Sequence, residues 1–481
     1  MSVSIISNPK YLPSKVDEYA GNPLIEALPP VFDDKMLIQI LSNITYPPDN
    51  ILSMSDTEKM ELVDRVQSII VPTSNYTAMY KSMRQMLLNG YAQRNPLTPK
   101  VTEWCYDLIT TKGGFENISP STGNSMTFCG MSGMGKSTLS DRVLNCCFPQ
   151  VILHPEHPEI VNPQIVWLKF DMPSDASRSG LCMTFFSAID ELLAPINSIK
   201  AAPPFAEQYR SSKIERMQEG IKTICTTYNI GIIIIDEFQN LNVAKAGGEK
   251  VILQFFDYIS NKVKVPIVKI GTPASIKLFS KEFRTARRSA NSGFCELGPL
   301  NEASQDWEFI SKVLWQYQLV NHPQPYSEEI GVALYKFSGG IIACLGQLVK
   351  LANIEAIKAG SESITVKLLR GVYHKHFGLM KDALDALKIN DKKEYEDLML
   401  LSDFKQRNVE EQIEKIKKLN KSDKFTGQAA KVFRELVEET EDKHILSDVD
   451  KLYIQKLKAK LDKAIAENVK PVVTNNEQVG S

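Results

Sequence analysis

Residues 130–137 have the composition and spacing of a phosphate-binding loop. They read Gly-Met-Ser-Gly-Met-Gly-Lys-Ser, which matches the pattern G-x-x-x-x-G-K-[ST]. Glycines let successive main-chain N–H groups point at phosphate oxygens, and the helix that follows adds its positive N-terminal end. The pattern predicts that Lys136 contacts the β- and γ-phosphates of ATP and that Ser137 binds Mg²⁺. The residues predicted to hold the nucleotide are Gly130, Ser132, Gly133, Met134, Gly135, Lys136, Ser137 and Thr138.

Two adjacent acidic residues, Asp236 and Glu237, follow the apolar run 231–235. An aspartate at the end of a buried strand can hold Mg²⁺ through water, and the neighbouring glutamate can polarise the attacking water as a general base. Alone, the segment would be only a strand and its exit turn. Together with a phosphate-binding loop, it predicts an ATPase in which Asp236 holds the nucleotide's Mg²⁺ and Glu237 is the catalytic base.

Thr272 follows another apolar run, residues 265–270. In ATPases with an extra strand between the two motif strands, a polar residue at this position senses the γ-phosphate. The alternative is a turn threonine that caps a helix beginning at Pro273.

Three arginines lie close together in residues 281–288: Arg284, Arg287 and Arg288. They could form a solvated surface. They could also present an arginine finger to the ATP of a neighbouring subunit, with Arg287 and Arg288 the stronger candidates.

Five short apolar runs, separated by helical stretches, predict the elements that position these residues. The runs cover residues 125–129, 165–170, 231–235, 266–270 and 294–297. Runs of this length, bounded by turn residues and separated by helices, indicate an α/β domain with a parallel five-stranded sheet covered on both faces.

The rest of the chain has a largely helical pattern, interrupted by prolines and glycines. In residues 31–113 the helical segments, such as 81–88, are short. In 302–380, Gly339-Gly340 interrupts a pattern typical of a small helical lid. Residues 381–481 are rich in both charge signs, and they form either a solvated helical appendage or a partner-docking helix. We predict an N-terminal arm (1–30), a helical N-terminal region (31–113), the α/β core (114–301), the helical lid (302–380) and a charged helical C-terminal extension with a disordered tail (381–481).

Composition and charge narrow the class of protein. The chain has 481 residues, of which 43% are hydrophobic and 23% charged, as in ordinary globular proteins. It has no apolar run long enough to predict a membrane-spanning helix, and residues 1–8 lack the features of a secretory signal. A net charge of −1 argues against extensive coating of nucleic acid but allows a local basic surface. Eight cysteines without a C-x-x-C pair predict reduced thiols in a cytoplasmic protein.

Several segments outside the phosphate-binding loop resemble the TnsC (TniB) family, the AAA+ regulators of TnsABC-type, Tn7-like bacterial transposons. The resemblance runs in order from about residue 17 to 375. The most specific segments are the arm at 19–30, which reads Tyr-Ala-Gly-Asn-Pro-Leu-Ile-Glu-Ala-Leu-Pro-Pro, and the arginine block 284–288. Residues 90–96 also resemble this family. Further matches lie in residues 133–138, 235–241, 270–273, 305–307 and 314–316.

This resemblance implies an AAA+ fold and a regulator that assembles with ATP as a ring or filament on double-stranded DNA. Such a regulator joins a target-selecting protein of the TnsD or TniQ kind to the transposase subunits TnsA and TnsB. The family's ATP site maps onto Gly130, Gly135, Lys136, Ser137, Asp236 and Glu237. After Gly339-Gly340 the lid reads Ile-Ile-Ala-Cys, without the basic nucleotide sensor that many AAA+ proteins place there. Either this sensor is absent or another residue serves, and slow regulatory hydrolysis is expected.

Other functions remain open at the level of sequence. A non-transposon AAA+ switch, such as a replication-initiator-like loader or a signalling ATPase, would share the ATP motifs. A small-molecule kinase fits less well, because Asp236-Glu237 and a helical lid suit attack by water. Candidate DNA contacts are Lys245 and Lys250, which flank Gly247-Gly248; the alternative is a solvated surface loop.

Overall fold

The structure is a computed structural model that describes residues 3–110, 124–173, 177–196, 203–240, 263–273 and 290–388, with residues 256, 259, 260, 398–400 and 455. The chain divides into two compact units, Met1–Leu398 and Met399–Ser481. All the elements described below belong to the first unit.

Two sheets are present in the described part of the chain. Their strands are β1 (Ile5–Ile6), β2 (Ser125–Gly130), β3 (Val151–Ile152), β4 (Gln164–Ile165), β5 (Trp167–Asp171), β6 (Ile232–Asp236), β7 (Ile267–Gly271) and β8 (Phe294–Leu297). The main sheet has five strands in the order β5-β6-β7-β2-β8, and all its neighbours are parallel. The predicted five-stranded parallel sheet is therefore confirmed. Strand β7 lies between β2 and β6, so the two motif strands are separated by one extra strand.

One predicted strand divides in two. The run 165–170 was expected to form a single strand, but β4 pairs antiparallel with β3 in the small sheet, whereas β5 pairs parallel with β6. Between them, the Val166 N–H donates to the carbonyl oxygen of Gln150 at 2.9 Å. The chain thus changes sheets at Val166, because β3 competes for the first part of the run.

Burial explains why the strands of the main sheet are mostly apolar. All five residues of β6 and of β7 are buried, and so are all six of β2. Strands covered on both faces are mostly apolar, and the polar exceptions here, such as Thr127 of β2 and Lys269 of β7, are buried within the sheet. At the carboxyl edge of the sheet, Asp236 ends β6, and Glu237 and Thr272 directly follow β6 and β7.

Helices cover the sheet and extend beyond it. They are α1 (Pro23–Glu26), α2 (Asp34–Leu41), α3 (Asp56–Leu62), α4 (Ser74–Ala92), α5 (Pro99–Thr110), α6 (Lys136–Cys147), α7 (Arg178–Leu193), α8 (Phe205–Tyr209), α9 (Ile214–Thr227), α10 (Gln305–Trp315), α11 (Glu328–Ser338), α12 (Ile342–Lys358), α13 (Val366–His376) and α14 (Gly378–Lys388). Helix α4 has 19 residues, so the segment 81–88 is part of a much longer helix than predicted. Helix α14 continues through residue 380, where a boundary was predicted.

The N-terminal helices are fixed to the sheet domain by side chains that bind main-chain carbonyls. Arg94, which is buried, donates to the Ile230 carbonyl at 2.7 Å, and the Tyr91 hydroxyl donates to that of Asn229 at 3.1 Å. At the other end of the region, Arg142 of α6 donates to the Leu41 carbonyl at 3.0 Å, at the C-terminus of α2. A cation there also interacts favourably with the helix dipole.

A glycine pair joins the lid helices to the core. Gly339 ends α11 with φ 63°, and Gly340 follows with φ 74°. The Leu300 N–H donates to the Gly340 carbonyl at 3.0 Å, and a Cβ at Gly340 would lie 2.3 Å from the Leu300 oxygen. Only glycine combines this left-handed backbone with so close an approach.

All eight cysteines are free, and five of them are buried. Burial raises the pKa of the Cys225 thiol to about 12, which keeps it protonated.

Among the described residues, no single helix is long and apolar enough to cross a membrane. Helices α11 and α12 reach the required length and hydropathy only when taken together, and the chain bends by 115° between them.

Candidate nucleotide-binding site

The phosphate-binding loop leaves β2 at the carboxyl edge of the sheet and enters α6. Gly133 and Gly135 have φ values of 79° and 75°, so the loop curls through left-handed conformations that glycine adopts readily. Helix α6 begins at Lys136, and the Lys136 ammonium donates to the Met131 carbonyl at 3.0 Å. The loop therefore has its predicted strand–loop–helix context, with the N-terminus of α6 directed at the site.

One cavity of about 550 Å³ brings most of the predicted residues together. This volume is in the range of small-molecule and cofactor sites. The predicted residues in its wall are Ser132, Gly133, Met134, Gly135, Lys136, Ser137, Thr138, Asp236, Glu237 and Thr272. Gly130 lies instead at the end of β2, where an added Cβ would come within 2.7 Å of the Leu297 Cβ. It allows β2 and β8 to pack closely.

The Asp236 carboxylate contacts two groups that the sequence did not predict as its partners. Its Oδ1 accepts the N–H of Glu237 at 2.8 Å, and its Oδ2 lies 2.9 Å from the Lys169 ammonium on the neighbouring strand β5. Lys169 also contacts Asp141 Oδ1 at 2.6 Å and Ser140 Oγ at 2.9 Å, both on α6. Strand β6 and the phosphate-loop helix are thus connected through one ammonium group.

These charges shift the pKa values of their neighbours. Burial lowers the pKa of Lys169, but the charges of Asp236 and Asp141 outweigh it and raise the pKa above the ordinary lysine value. Burial and the charge of Asp236 raise the pKa of Asp171, the residue paired with Asp236 across the sheet. Lys169 is therefore a permanent cation beside the predicted metal-holding carboxylate.

Glu237 and Thr272 face the same cavity from the ends of β6 and β7. Glu237 has φ 51°, an uncommon conformation for a residue other than glycine. Its carboxylate accepts a hydrogen bond from the Gln239 side-chain amide, and the Thr272 N–H donates to Gln239 Oε1 at 3.3 Å. Thr272 directly precedes Pro273, where a helix begins, so its role as phosphate sensor or helix cap stays a prediction.

The N-terminal region supplies a second wall of the cavity. Its residues are Val66, Gln67, Ile69, Ile70, Val71, Thr73, Asn75 and Tyr76. The segment is fixed by a two-residue antiparallel bridge, in which Asn43 and Ile70 exchange main-chain hydrogen bonds of 2.9 and 2.8 Å. Burial raises the pKa of Tyr76 to about 12, so its hydroxyl remains a neutral donor and acceptor. This mostly apolar wall has no sequence motif, which is why the sequence did not reveal it.

The lid closes a third side. Ile342, Ala343 and Gly346 of α12 line the cavity, and the Ala343 N–H donates to the Gly133 carbonyl at 3.0 Å. A Cβ at Gly133 would lie 2.9 Å from the Ile341 side chain. The lid therefore rests directly on the phosphate-binding loop.

The residues present fit Mg²⁺. The Ser137 hydroxyl and the Asp236 carboxylate are oxygen donors in the wall of one cavity, and Mg²⁺ is bound in proteins by a few such ligands together with waters and phosphates. Each Asp236 oxygen has one described partner, so both retain capacity to accept a metal-bound water.

Several predicted residues lie outside the described part of the chain. They are Lys245, Lys250, Arg284, Arg287 and Arg288. Most of the charged C-terminal extension predicted for residues 381–481 lies outside it as well, except for residues 381–388, 398–400 and 455.

This chain matches one family profile and is remotely similar to several solved structures. A family profile described as "AAA domain" matches residues 118–279. Among solved structures, Cdc6p from Pyrobaculum aerophilum has a TM-score of 0.39 at 12% identity, over 85% of this chain and 99% of that one. The Aeropyrum pernix ORC2 protein has a TM-score of 0.35 at 10% identity, over 75% of this chain and 84% of that one. Drosophila ORC bound to DNA has a TM-score of 0.34 at 11% identity, over 84% of this chain and 92% of that one. No curated protein matches the sequence significantly. The AAA-domain match, the parallel five-stranded sheet and the phosphate-binding loop between β2 and α6 establish that this chain has the AAA+ P-loop fold.

Proposed function

We propose that this protein is an ATP-dependent, DNA-binding regulator of DNA transposition that hydrolyses ATP slowly. The observation that carries the ATPase assignment is the single cavity that joins the phosphate-binding loop, Asp236, Glu237 and Thr272. An isolated glycine-rich turn would not be accompanied by two acidic residues at the end of a buried strand two positions away in the sheet.

The residues of the cavity have distinct roles in this proposal. Lys136 binds the β- and γ-phosphates, and Glu237 accepts a proton from the attacking water. Thr272 hydrogen-bonds the γ-phosphate. Mg²⁺, held by Ser137 and Asp236, would neutralise charge on the phosphate oxygens. In this proposal, the mostly apolar wall at residues 66–76, which lines the same cavity, would pack against the base of the nucleotide.

The transposition assignment rests on the segments that resemble TnsC, and their placement supports it. Residues 19–30 and 90–96 are far apart in sequence but meet in the fold. The Asn22 side-chain amide donates to the Tyr91 carbonyl at 2.8 Å, and the same asparagine caps α1 by accepting from the Leu24 N–H at 3.1 Å. Two of the segments that carry the resemblance thus pack against each other in the fold.

Binding to double-stranded DNA would depend on assembly. With a net charge of −1, one chain has little general attraction for the phosphate backbone, whereas a ring or filament multiplies weak local contacts. Lys245 and Lys250 are the proposed contacts, and Arg287 or Arg288 the proposed finger between subunits. The further proposed partners are TnsA, TnsB and a TnsD- or TniQ-type protein.

Fluorescence anisotropy with a short duplex tests the DNA-binding part of this proposal. We expect the full-length protein to bind at low salt with a non-hydrolysable ATP analogue, to bind much less with ADP, and to lose affinity steeply as salt rises. Lys136→Ala should abolish the stimulation by nucleotide, and Lys245→Ala/Lys250→Ala should weaken binding and reduce the salt dependence. Absence of ATP-stimulated binding by the wild-type protein would contradict the DNA-regulator assignment.

Transposition itself needs a separate test. In a reaction with purified transposase and target selector encoded beside this gene, insertion should require the protein and ATP. If insertion proceeds equally without it, or if no transposase gene lies nearby, the AAA+ assignment stands but the transposition assignment fails.

A further inference from the structure

The turn after β6 holds Glu237 in a defined position. Its N–H is bound by Asp236, and its carbonyl accepts the N–H of Asn240 at 2.9 Å. The Phe238 ring is fully buried, which anchors the turn to the core, and the Asn240 amide donates to the Met172 carbonyl at 3.3 Å. The main chain of the proposed base is thus restrained from several sides.

The side chain of Glu237 is restrained by Gln239. The Gln239 Nε2 donates to Glu237 Oε2, while Gln239 Oε1 accepts the Thr272 N–H at 3.3 Å. A carboxylate can only accept at this contact, and a main-chain N–H can only donate. The amide of Gln239 therefore has one orientation that satisfies both partners.

The setting of Gln239 is unusual for a residue with only a packing role. Gln239 is exposed, whereas Thr272 is 9% exposed, and both line the nucleotide cavity with Glu237. Because the Gln239 side chain is exposed, it contributes little to the core. Core packing therefore does not explain its hydrogen bonds to residues at the ends of two strands. These hydrogen bonds join the proposed base to the proposed γ-phosphate sensor.

We propose that Gln239 is a positioning residue for ATP hydrolysis. Its amide donor keeps the Glu237 carboxylate in the rotamer that faces the cavity, and its carbonyl ties that rotamer to the main chain at Thr272. A shift of Thr272 on contact with the γ-phosphate is thereby transmitted to the base. This inference rests on the proposed ATPase activity, because it assigns Gln239 a role through Glu237 and none in binding nucleotide.

Two substitutions of Gln239 test its hydrogen bonds to Glu237 and Thr272. Gln239→Met keeps the length but removes both hydrogen bonds. Gln239→Glu keeps an acceptor for the Thr272 N–H and replaces the donor with a charge that repels Glu237. Because a small misplacement of a catalytic group can cost about 100-fold in rate, we expect both variants to lose about 10- to 100-fold in kcat. The Kd for a fluorescent ATP analogue and the KM for ATP should stay within about 2-fold of wild type. Gln208→Met, at an exposed glutamine of α8, is the matched control.

A double-mutant cycle shows whether Gln239 acts through Glu237. Single-turnover hydrolysis is measured for Glu237→Gln, Gln239→Met and their combination. We expect the combination to be no slower than Glu237→Gln alone. Losses that multiply, a wild-type kcat in Gln239→Met, or a weakened nucleotide Kd would each overturn the inference. If the wild-type protein hydrolyses no ATP with or without DNA, the proposed function fails instead.

Discussion

The ammonium nitrogen of Lys169 lies 2.9 Å from Oδ2 of Asp236, in an ion pair whose side chains are 13% and 4% exposed. A second carboxylate, from Asp141, shares the same ammonium. A divalent cation held by Asp236 would thus approach a carboxylate that already has a permanent positive neighbour. Lys169 thus weakens the attraction of Asp236 for a metal ion alone, and the negative phosphates of a bound nucleotide would add to that attraction.

Replacing Lys169 by methionine should destabilise the protein by about 3 kcal/mol, because it leaves the buried Asp236 carboxylate without its cation. The free energy of unfolding in urea at neutral pH measures this loss. Lys312→Met, at a solvent-exposed pair with Glu308, is the control and should leave the unfolding midpoint almost unchanged. An equal effect of the two substitutions would contradict a structural role for the buried pair.

The same ion pair has a defined pH dependence. The pKa of Lys169 is raised in the folded protein, so the contribution of the pair to stability is complete below about pH 10.4, the ordinary pKa of lysine. It should fade as the pH rises through the higher folded value. We therefore expect the stability difference between wild type and Lys169→Met to be constant from pH 7 to 9 and to shrink above pH 10.5.

Two substitutions in the cavity should separate nucleotide binding from turnover. Lys136→Ala removes the charge that faces the phosphates and should abolish binding of a fluorescent ATP analogue, whereas Lys100→Ala, on the exposed surface of α5, should not. Glu237→Gln should keep the wild-type Kd and lower phosphate release by about 10²- to 10⁴-fold, the usual contribution of a general base. Normal turnover by a folded Glu237→Gln protein would exclude Glu237 as the base.

Gly340→Ala should destabilise the protein by at least about 2 kcal/mol, since a Cβ is unfavourable in the left-handed region and would overlap the Leu300 oxygen. Gly371 offers a matched control within α13, because it is exposed and a Cβ there would meet nothing within 4 Å. Gly371→Ala should raise stability by about 0.5–1 kcal/mol through helix propensity. Thermal denaturation of the two variants should therefore shift in opposite directions.

A mixing experiment tests whether Arg287 or Arg288 acts between subunits. A protein lacking the arginine retains its base, and a Glu237→Gln protein retains its arginine. If the finger acts in trans, mixed assemblies contain complete sites and should recover part of the ATPase activity. Failure to recover activity in mixtures that still assemble would place the arginine's role within its own subunit.

The central fold was predictable because the motif residues sit on strands that are buried on both faces. The apolar run before Asp236 became β6, and the run at 294–297 became β8 with the same bounds. The run 165–170 was misjudged because the sequence does not show that β3 competes for its first residues. The length of α4 was missed because the sequence between Thr73 and Gln93 has only a weak amphipathic pattern.

The site was predictable only in part. The phosphate loop and the acidic pair have fixed spacings imposed by phosphate and metal chemistry. Lys169, Gln239 and the wall at 66–76 act through pairing across strands and contacts distant in sequence, which no local pattern records. In the strand register, Asp171 pairs with Asp236, and Lys169 lies two residues before Asp171, on the same face of β5. Only this register could have suggested that Lys169 pairs with Asp236.

The hydrogen bond from the Ala343 N–H to the Gly133 carbonyl can be followed by deuterium exchange. The first four amides of a helix have no partner within it, so the second residue of α12 owes its hydrogen bond to the phosphate-binding loop. Deuterium exchange at this single amide therefore reports separation of the lid from the loop, independently of whether the helix itself unfolds. Its protection factor, compared among the nucleotide-free, ADP-bound and ATP-bound protein, would give the free energy of lid opening in each state of the cycle.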